Sequence, residues 1–514
     1  MARTRLCVIA AIVAALLLGA CSASSDDGRV AAPEAPPNEP PRADPPPGQG
    51  GEAPPNDEPY PDVFFDNPGV NPFIDTEDDA LSTFALDVDT GSYTVARRFL
   101  SDGNLPDRDS VRVEEYVNFF PTGFDAPPDA AFAIRIDGGP TPFVLNDRYQ
   151  VARVAIQSRG LPEGTRPPLS LTFVIDVSGS MELETRLELV KEALLLLVAQ
   201  MAPTDTLAIA VYGSEARTVL EPTAIGESES IRDAITSLQP EGSTNAEAGL
   251  LLGYELARRG FREGGVNRVI LASDGVANVG NTGPESILER IRTEARDGIQ
   301  LTTLGFGMGN YNDVLMEQLA NDGDGMYAYV DSIDEAQRLF VDELNATLVT
   351  VALDAKVQVA WDPASVERYR LIGFENRNVA DEDFRDDAVE AGAIGAGHTV
   401  TALYELRLTE SANGPLGTVH LRWTDPESGE PVEMATELST EDLASGFEAT
   451  DRHFRLATTV AAFAEVLRES YWSEQVSLAT VAAEAARRAS EFPDDPAVRE
   501  LADLVNRAAS LVGD

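Results

Sequence analysis

Cysteine, lysine and histidine are scarce in this sequence, which has two, two and three of them among 514 residues. Cys7 and Cys21 lie near the N-terminus, so the rest of the chain has no thiol for a disulfide framework or a zinc site. The histidines, His398, His420 and His453, are far apart and lack metal-binding spacing. These absences exclude sites built from thiolate or imidazole ligands, so any metal is expected to have oxygen ligands.

Positive charge is also scarce in this chain. Lysine and arginine together number 39 against 86 aspartates and glutamates, which gives a formal net charge of -47. A surface with this charge repels phosphate groups, which excludes nucleic acids and anionic membrane surfaces as direct partners. It favours basic partners and attracts divalent cations weakly, although solubility alone is a sufficient reason for such a surface.

The N-terminus has the features of a secretory signal. Arg3 and Arg5 precede an apolar run, Val8–Leu18, that is too short to span a bilayer comfortably. The run ends in Leu-Gly-Ala-Cys, which resembles the lipobox of bacterial lipoproteins. We therefore predict a signal peptide over 1–20 and a lipid anchor on Cys21; the alternative is an ordinary signal peptide with an incidental cysteine.

A tether is predicted from 21 to 61, where proline, glycine, alanine and acidic residues dominate and aromatic residues are nearly absent. Such a segment cannot bury enough apolar surface to fold. Proline keeps it extended, so its forty or so residues reach on the order of 120 Å at about 3.1 Å each. The tether would hold the folded part away from a bacterial membrane.

The remaining chain is too long for one compact core, and its texture changes along its length. Residues 62–160 are mixed, 168–348 alternate between apolar strands and amphipathic helices, 349–440 read as strands, and 441–514 read as helices. Alternation of strands and helices predicts a parallel sheet covered on both faces. We therefore predict an α/β fold, with a doubly wound, mostly parallel sheet inserted next to a β-sandwich and followed by C-terminal helices.

The α/β part is organised around one stretch near its start. Leu169–Ile175 is an uninterrupted apolar run, as expected of a strand buried on both faces. The run stops at Asp176, and Ser178 and Ser180 follow before an amphipathic helix begins. In sheets of this type, ligands bind beyond the carboxyl ends of the strands.

Two further polar loops are expected at the same edge of the sheet. One contains Thr244 just before a helix, and the other contains Asp274 just after a strand. The three loops together supply two carboxylates and three hydroxyls, which suit a hard cation such as Mg²⁺ or Mn²⁺. If the hydroxyls bind directly and the aspartates act through water, the cation stays under-neutralised and seeks an external carboxylate.

These loops resemble the metal-ion-dependent adhesion site of von Willebrand factor type A domains in residue type, order and spacing. The resemblance covers roughly 168–348. It implies a divalent cation, Mg²⁺ or alternatively Mn²⁺ or Ca²⁺, that the two serines and the threonine contact directly while the aspartates mostly hold waters or hydroxyls. The residues that carry the match are Asp176, Ser178, Ser180, Thr244 and Asp274.

A wider resemblance covers most of the folded chain. The segments 88–106, 112–120, 369–377 and 396–406 are similar to those of bacterial von Willebrand factor A lipoproteins that carry an accessory N-terminal region and a C-terminal domain of unknown function. The similarity implies a shared architecture and little about the ligand.

The strands near 131–157 and those after 350 flank the α/β part on both sides. We predict that they join into one sandwich with the α/β part inserted, as in integrin β subunits. Two chain crossings would make the pivot stiffer than one. On the pattern of related domains, we hypothesise that ligand binding shifts a helix predicted over Ile333–Leu348 and tilts the sandwich.

Three acidic motifs have competing interpretations. Asp89-Thr90-Gly91-Ser92 resembles the active-site loop of pepsin-like proteases, but that chemistry needs two such aspartates, and a helix-entry turn is simpler. The segment 322–325 hints at a calcium loop but lacks its spacing, which favours a tight turn. The acidic residues of 381–387 form either a solvated loop or a second cation site.

The function predicted from these features is binding rather than catalysis. The protein would be extracytoplasmic, held to a bacterial membrane by lipid on Cys21, and would bind a protein partner through the cation and the partner's acidic side chain. One rival is a scaffold of an envelope assembly in which the metal only stabilises the fold. The other is a hydrolase whose metal activates water, which is weakened because no general base stands out near the loops.

Overall fold

The computed structural model describes residues 65, 67–143, 148–162, 164–275, 284–308, 312–389 and 391–513. The predicted signal peptide, the tether and the lipidation site Cys21 lie outside these residues. Within the described ranges, no helix combines the length and the apolar character needed to cross a membrane.

The chain before residue 160 forms four strands and two α-helices in the described part: β1 (Ile74–Asp75), β2 (Leu81–Ala85), α1 (Gly91–Ser101), α2 (Val113–Asn118), β3 (Phe132–Gly139) and β4 (Tyr149–Ser158). The α/β domain follows: β5 (Leu169–Asp176), α3 (Arg186–Gln200), β6 (Thr206–Tyr212), β7 (Ala216–Ala224), α4 (Ser228–Thr236), α5 (Ala246–Arg259), β8 (Val266–Ser273), α6 (Pro284–Arg296), β9 (Ile299–Gly305), α7 (Asp313–Asp322), β10 (Tyr327–Tyr329), α8 (Ile333–Gln337) and α9 (Leu344–Leu348). The rest comprises β11 (Thr350–Trp361), β12 (Val366–Ile372), β13 (Gly392–Gly395), β14 (Thr399–Leu408), β15 (Pro415–Thr424), β16 (Pro431–Ser439), α10 (Arg452–Leu467), α11 (Leu478–Glu491) and α12 (Pro496–Val512).

The sheet of the α/β domain has the order β10-β9-β8-β5-β6-β7, and its strands are parallel except for β7. Chain order reverses between β5 and β8, so the doubly wound topology has its switch point there. Every residue of β5 is buried, because helices cover both faces of the sheet. The antiparallel edge strand β7 was not predicted, because its partly exposed, polar sequence lacks an apolar run.

The sandwich is built from strands that precede and follow the α/β domain. One sheet has the order β1-β12-β14-β4-β3, and the other joins β13, β11, β15 and β16, with β2 also paired to β11. Strand β4 pairs with β14 over nine residue positions, so the two parts of the chain share a continuous ladder. Phe132 and Trp423 contact each other across the two sheets, with ring centroids 4.8 Å apart. The predicted joining of strands around an inserted α/β domain is therefore found.

The helix predicted over Ile333–Leu348 is not continuous. It consists of α8, a π-helical turn at Arg338–Asp342, and α9. The Arg338 guanidinium pairs with Glu335 and Glu343, each at 2.6 Å, across this turn. Backbone dihedrals of -111° and 21° at Glu343 then end the turn before α9 begins. The prediction of an uninterrupted helix was wrong, because the N–H of Glu343 donates to the Arg338 carbonyl five residues earlier, at 2.8 Å, which makes this turn π-helical.

Helix α1 lies against the edge strand β10 of the α/β domain. The backbone N–H of Tyr327 donates to Asp89 Oδ1 at 3.0 Å, and Thr94 Oγ1 donates to the Tyr329 carbonyl at 2.8 Å. Val95 and Phe99 of α1 belong to the apolar cluster that fills one side of this domain. The accessory region therefore completes the α/β core as well as contributing strands to the sandwich.

The C-terminal helices pack together and against α2 and the first sandwich sheet. Their apolar side chains form one cluster with Val151, Ile372 and Leu403 from that sheet. Helix α12 begins as its sequence indicates, with Pro496 in the first turn and Asp495 Oδ1 accepting from the N–H of Ala497 at 2.9 Å.

Candidate metal centre

The predicted metal loops lie at the switch point of the sheet. Asp176 is the last residue of β5, and Asp274 directly follows β8, the neighbouring strand on the side where chain order reverses. Because β5 and β8 are parallel, their carboxyl ends meet at one edge. The topology therefore brings these two aspartates to the place where doubly wound sheets bind ligands.

Asp176 is completely buried and both of its carboxylate oxygens accept hydrogen bonds. The N–H of Ser178 donates to Oδ1 at 2.8 Å, and Ser273 Oγ donates to Oδ2 at 3.0 Å. Burial raises the pKa of the Asp176 carboxyl to about 6, and the charge of nearby Asp274 acts in the same direction. A cation at this position would favour the ionised carboxylate.

The serines that follow β5 lie side by side. Ser178 Oγ and Ser180 Oγ are 3.0 Å apart; Ser178 is buried and Ser180 is partly exposed. Two neighbouring ligands of an octahedral ion, each about 2.1 Å from it, are separated by about 3.0 Å. The spacing of these hydroxyls fits simultaneous contact with one small cation.

The loop that carries Thr244 runs beside the serine turn. The N–H of Gly179 donates to the Gly242 carbonyl at 3.2 Å, and the N–H of Glu241 donates to the Val177 carbonyl. Gly242 has φ of +77°, a conformation that glycine adopts without strain. Thr244 follows two residues later and is partly buried, just before α5 begins. The structure thus brings the three predicted loops together.

Arg186 is a site residue that the sequence did not single out. Its Nη1 lies 2.7 Å from Asp274 Oδ2, and both side chains are buried. Gly307 has φ of +83°, and a Cβ there would collide with this guanidinium, so the glycine leaves room for it. The only signal in the sequence is an arginine at the start of an amphipathic helix, a position that surface arginines also occupy.

The donor set fits a hard divalent cation. Ser178, Ser180 and Thr244 would hold it directly, and Asp176 and Asp274 through water, as the resemblance implies. The two carboxylates and the Arg186 guanidinium sum to one formal negative charge, so a bound divalent cation leaves one positive charge. An ion in such a site attracts an external carboxylate. The identity and occupancy of the site remain predictions.

A second carboxylate cluster was not predicted. Within the described residues, Asp87, Asp89 and Glu317 are the group of acidic side chains close enough to share a cation. Arg377 already lies among them: Nε donates to Asp87 at 2.9 Å, and Nη2 donates to Asp89 at 3.4 Å and to Glu317 at 2.6 Å. Arg112 reaches Glu317 at 3.1 Å. We call these five residues the Arg377 hub.

The hub assigns a structural role to the tetrad 89–92. Asp89 Oδ1 accepts from the Tyr327 N–H, and α1 begins at Gly91, so the tetrad is a helix entry. Burial raises the pKa of the Asp89 carboxyl well above its usual value, and the charge of Asp87 adds to this. The protein supplies the compensating positive charge through Arg377.

The other acidic motifs also have partners within the protein. Residues 322–325 close helix α7, with the N–H of Gly325 donating to the Ala320 carbonyl at 3.0 Å. Asp381 accepts from Thr83 Oγ1 at 2.5 Å, and Asp387 pairs with Arg422 at 2.6 Å. These contacts favour a tight turn and a surface loop over additional cation sites.

Three family models match the chain. The von Willebrand factor type A domain matches residues 170–342, and a von Willebrand factor model matches residues 61–153. The C-terminal domain of the uncharacterized protein YfbK matches residues 346–415 and 407–511.

Similar proteins extend over different shares of the chain. The uncharacterized protein YfbK of Escherichia coli (strain K12) is 37% identical over 434 residues, which cover 79% of this chain and 74% of YfbK. The inter-alpha-trypsin inhibitor heavy chain H3 of Homo sapiens is 35% identical over 193 residues, covering 36% of this chain and 22% of that protein. A solved von Willebrand factor type A structure from Catenulispora acidiphila has a TM-score of 0.43 at 14% identity and covers 72% of this chain and 89% of its own.

Proposed function

The chain belongs to the family of YfbK-like bacterial proteins that carry a von Willebrand factor type A domain, and from that premise we propose that it is an extracytoplasmic lipoprotein that binds a protein partner through a divalent cation. The cation, Mg²⁺ or alternatively Mn²⁺ or Ca²⁺, is held at the metal loops of the α/β domain. The partner contributes an acidic side chain to the position that the protein leaves open.

One observation carries this proposal. The hydroxyls of Ser178 and Ser180 lie 3.0 Å apart beside two buried carboxylates, and Arg186 compensates only one of these charges. The site therefore offers oxygen ligands at cation spacing and too little positive charge of its own. A divalent ion supplies that charge with one unit in excess, which favours a carboxylate from another molecule.

Binding is favoured over hydrolysis because the carboxylates next to the site are already engaged. Both oxygens of Asp176 accept hydrogen bonds, and Asp274 is held by Arg186 at 2.7 Å. A hydrolase would need a carboxylate or imidazole able to take a proton from metal-bound water. The paired aspartates suit positioning of the cation instead.

The membrane attachment is proposed from the sequence of the N-terminal segment. Lipid on Cys21 would hold the chain, and residues 21–61 would space the folded part from the bilayer. Replacing Cys21 by serine is expected to move the protein from the membrane fraction to the soluble fraction of fractionated cells. Retention of the Cys21→Ser variant in the membrane fraction would contradict the anchor.

The metal hypothesis is tested by titrating the full chain with Mg²⁺, Mn²⁺ and Ca²⁺ in a calorimeter. Wild-type protein is expected to take up one cation, and the Asp176→Ala and Thr244→Ala variants to lose that uptake while staying folded. Capture of envelope proteins with and without chelator then separates adhesion from scaffolding. Chelator-sensitive capture that both variants lose supports adhesion, whereas loss of thermal stability alone supports a scaffold with a stabilising metal.

A further inference from the structure

An exposed leucine lies next to the metal loops. Leu183 follows Ser180 by three residues and has 57% of its surface exposed, whereas Met181 between them is fully buried. The segment therefore turns one large apolar side chain into the core and holds the next one in solvent. An isolated exposed leucine is ordinary, but this one is fixed by its backbone.

The backbone after Leu183 is in an unfavourable conformation. Glu184 and Thr185 have φ of 51° and 60°, so two consecutive non-glycine residues are left-handed, and the second is β-branched. Such conformations are costly and persist where surrounding contacts hold them. Here the Glu184 carboxylate lies 3.1 Å from Arg98 of α1 and 3.8 Å from Arg186. Because Arg186 also binds Asp274, these contacts tie the position of Leu183 to the metal loops.

The surface around the metal loops is acidic. Glu182, Glu184, Glu215 and Glu241 are all exposed. Glu184 pairs with Arg98 at 3.1 Å and Glu241 with Arg217 at 2.8 Å, whereas Glu182 and Glu215 have no ion pair among the described residues. A partner segment that brings a carboxylate to the cation therefore approaches through negative potential.

Resting on the proposed function, we propose that the partner segment presents its metal-binding carboxylate between an apolar residue and basic residues. The apolar residue packs on Leu183, and the basic residues meet Glu182 and Glu215. Burying the exposed leucine against an apolar residue of the partner stabilises the complex. The acidic rim rejects a segment that is acidic throughout, because like charges brought together across an interface weaken binding. The metal site sets the need for a carboxylate, and this surface selects which carboxylate is accepted.

The test uses three synthetic peptides with amidated C-termini, immobilised on a surface. Their cores are Lys-Leu-Asp-Leu-Lys, Lys-Ser-Asp-Ser-Lys and Glu-Leu-Asp-Leu-Glu. Binding of the full chain in detergent is measured with Mg²⁺ and with chelator. The basic apolar peptide is expected to bind about tenfold more tightly than the acidic one at low salt, with a gap that narrows as salt rises. The serine peptide should bind about fivefold less tightly than the leucine peptide.

Two matched pairs of variants locate the effect. Leu183→Ser should lower binding of the leucine peptide to the level of the serine peptide, whereas Leu251→Ser, at a leucine 48% exposed on α5, should change nothing. Glu182→Arg should remove the preference for basic flanks. Glu229→Arg should keep it, because pairing of Ala224 with Thr206 places the start of α4 at the opposite end of the sheet.

The outcomes separate this inference from the function on which it rests. Equal, chelator-sensitive binding of all three peptides, or equal behaviour of the Leu183→Ser and Leu251→Ser variants, would overturn the inference and leave metal-dependent adhesion intact. Magnesium uptake without retention of any peptide would also overturn it. Absence of magnesium uptake together with absence of chelator-sensitive binding would overturn the proposed function itself.

Discussion

The metal loops and the Arg377 hub both gather buried carboxylates, but they differ in the positive charge that the protein provides. In the hub, Arg377 contacts three carboxylates, and Arg112 reaches one of them. At the metal loops, one guanidinium pairs with Asp274, whereas Asp176 accepts its hydrogen bonds from a backbone N–H and a serine hydroxyl. The carboxylates of the hub are neutralised by arginines of the protein itself. The metal loops instead reach the surface at exposed Gly179 and partly exposed Ser180.

This difference supports a structural role for the hub and is consistent with the cation-binding role proposed for the metal loops. The hub joins three parts of the chain: Asp87 and Asp89 come from the accessory region, Glu317 from the α/β domain and Arg377 from the sandwich region. A cluster that carries its own cations needs nothing from solution. The metal loops provide only one guanidinium, so we expect their charge balance to depend on a cation taken up from solution.

Removing the internal cation of the hub should have the largest effect. We expect Arg377→Met to destabilise the protein by about 3–5 kcal/mol, because it leaves buried carboxylates without their partner. Denaturant unfolding of the full chain measures this. Arg217→Met, which removes an ion pair with about half of each side chain exposed, should cost no more than about 0.5 kcal/mol. Similar costs for the two variants would contradict the structural role of the hub.

Removing a carboxylate from the metal loops should abolish the increase in stability that magnesium binding gives the wild-type protein. At a magnesium concentration one hundred times the Kd, the wild-type protein should gain about 2.7 kcal/mol of stability. Asp176→Asn should stay folded and gain nothing, whereas Asp89→Asn in the hub should keep the full magnesium response. Thermal unfolding with and without magnesium checks both. A preserved response in Asp176→Asn, or a lost one in Asp89→Asn, would reverse the assignment of the two clusters.

Acidification should stabilise the protein through Glu114, which lies beside the hub and accepts a hydrogen bond from the N–H of Phe374 at 2.9 Å. Burial raises the pKa of its carboxyl from 4.5 to about 7, and the charge of Glu375 acts in the same direction. Between these values the folded state binds the proton that the unfolded state releases, so stability falls as pH rises from 5 to 8.

The Glu114 contribution is expected to be on the order of 2 kcal/mol across this range. Glu114→Gln, which keeps the size of the side chain and removes its titration, should flatten the profile by that amount. Unfolding free energies measured in chelator at several pH values give the difference between the two proteins. Parallel profiles for wild type and variant would show that the carboxyl does not titrate as described.

The smallest effect is expected at Arg98, whose pair with Glu184 connects α1 to the segment beside the metal loops. Both side chains are partly exposed, at 29% and 44%. Arg98→Ala should therefore change stability by no more than about 0.5 kcal/mol. Magnesium uptake should be unchanged, which calorimetry checks. A decrease in stability of several kcal/mol would contradict this, because it would show that the pair contributes as much as the buried ion pairs of the hub.

The elements that could be predicted are those with strong apolar patterns. The run predicted over Leu169–Ile175 lies within β5, and the strand predicted over Thr399–Leu408 coincides with β14. Strands buried in sheets are marked by continuous or alternating apolar residues. Strand β7 was missed because it lies at an edge and is only partly buried, so its sequence lacks a continuous or alternating apolar pattern.

The metal-binding residues of the candidate site could be predicted from the sequence, but the arginine that pairs with Asp274 could not. Asp176 ends one strand and Ser178 and Ser180 follow it, so a single turn brings them together. Arg186 could not be paired with Asp274 beforehand, because they are 88 residues apart. The partners in the Arg377 hub are farther apart, with 290 residues between Asp87 and Arg377. In a chain with 86 acidic residues, each arginine has many possible partners, and only the fold selects among them.

Helix α1 has a consequence for self-association. A strand at the edge of a sheet exposes unpaired backbone groups that can recruit a second copy of the same strand. On β10, side chains of Asp89 and Thr94 hydrogen-bond to the Tyr327 N–H and the Tyr329 carbonyl. The accessory region thus covers an edge at which a second molecule could pair, and trimming the chain to 169–348 is expected to expose that edge.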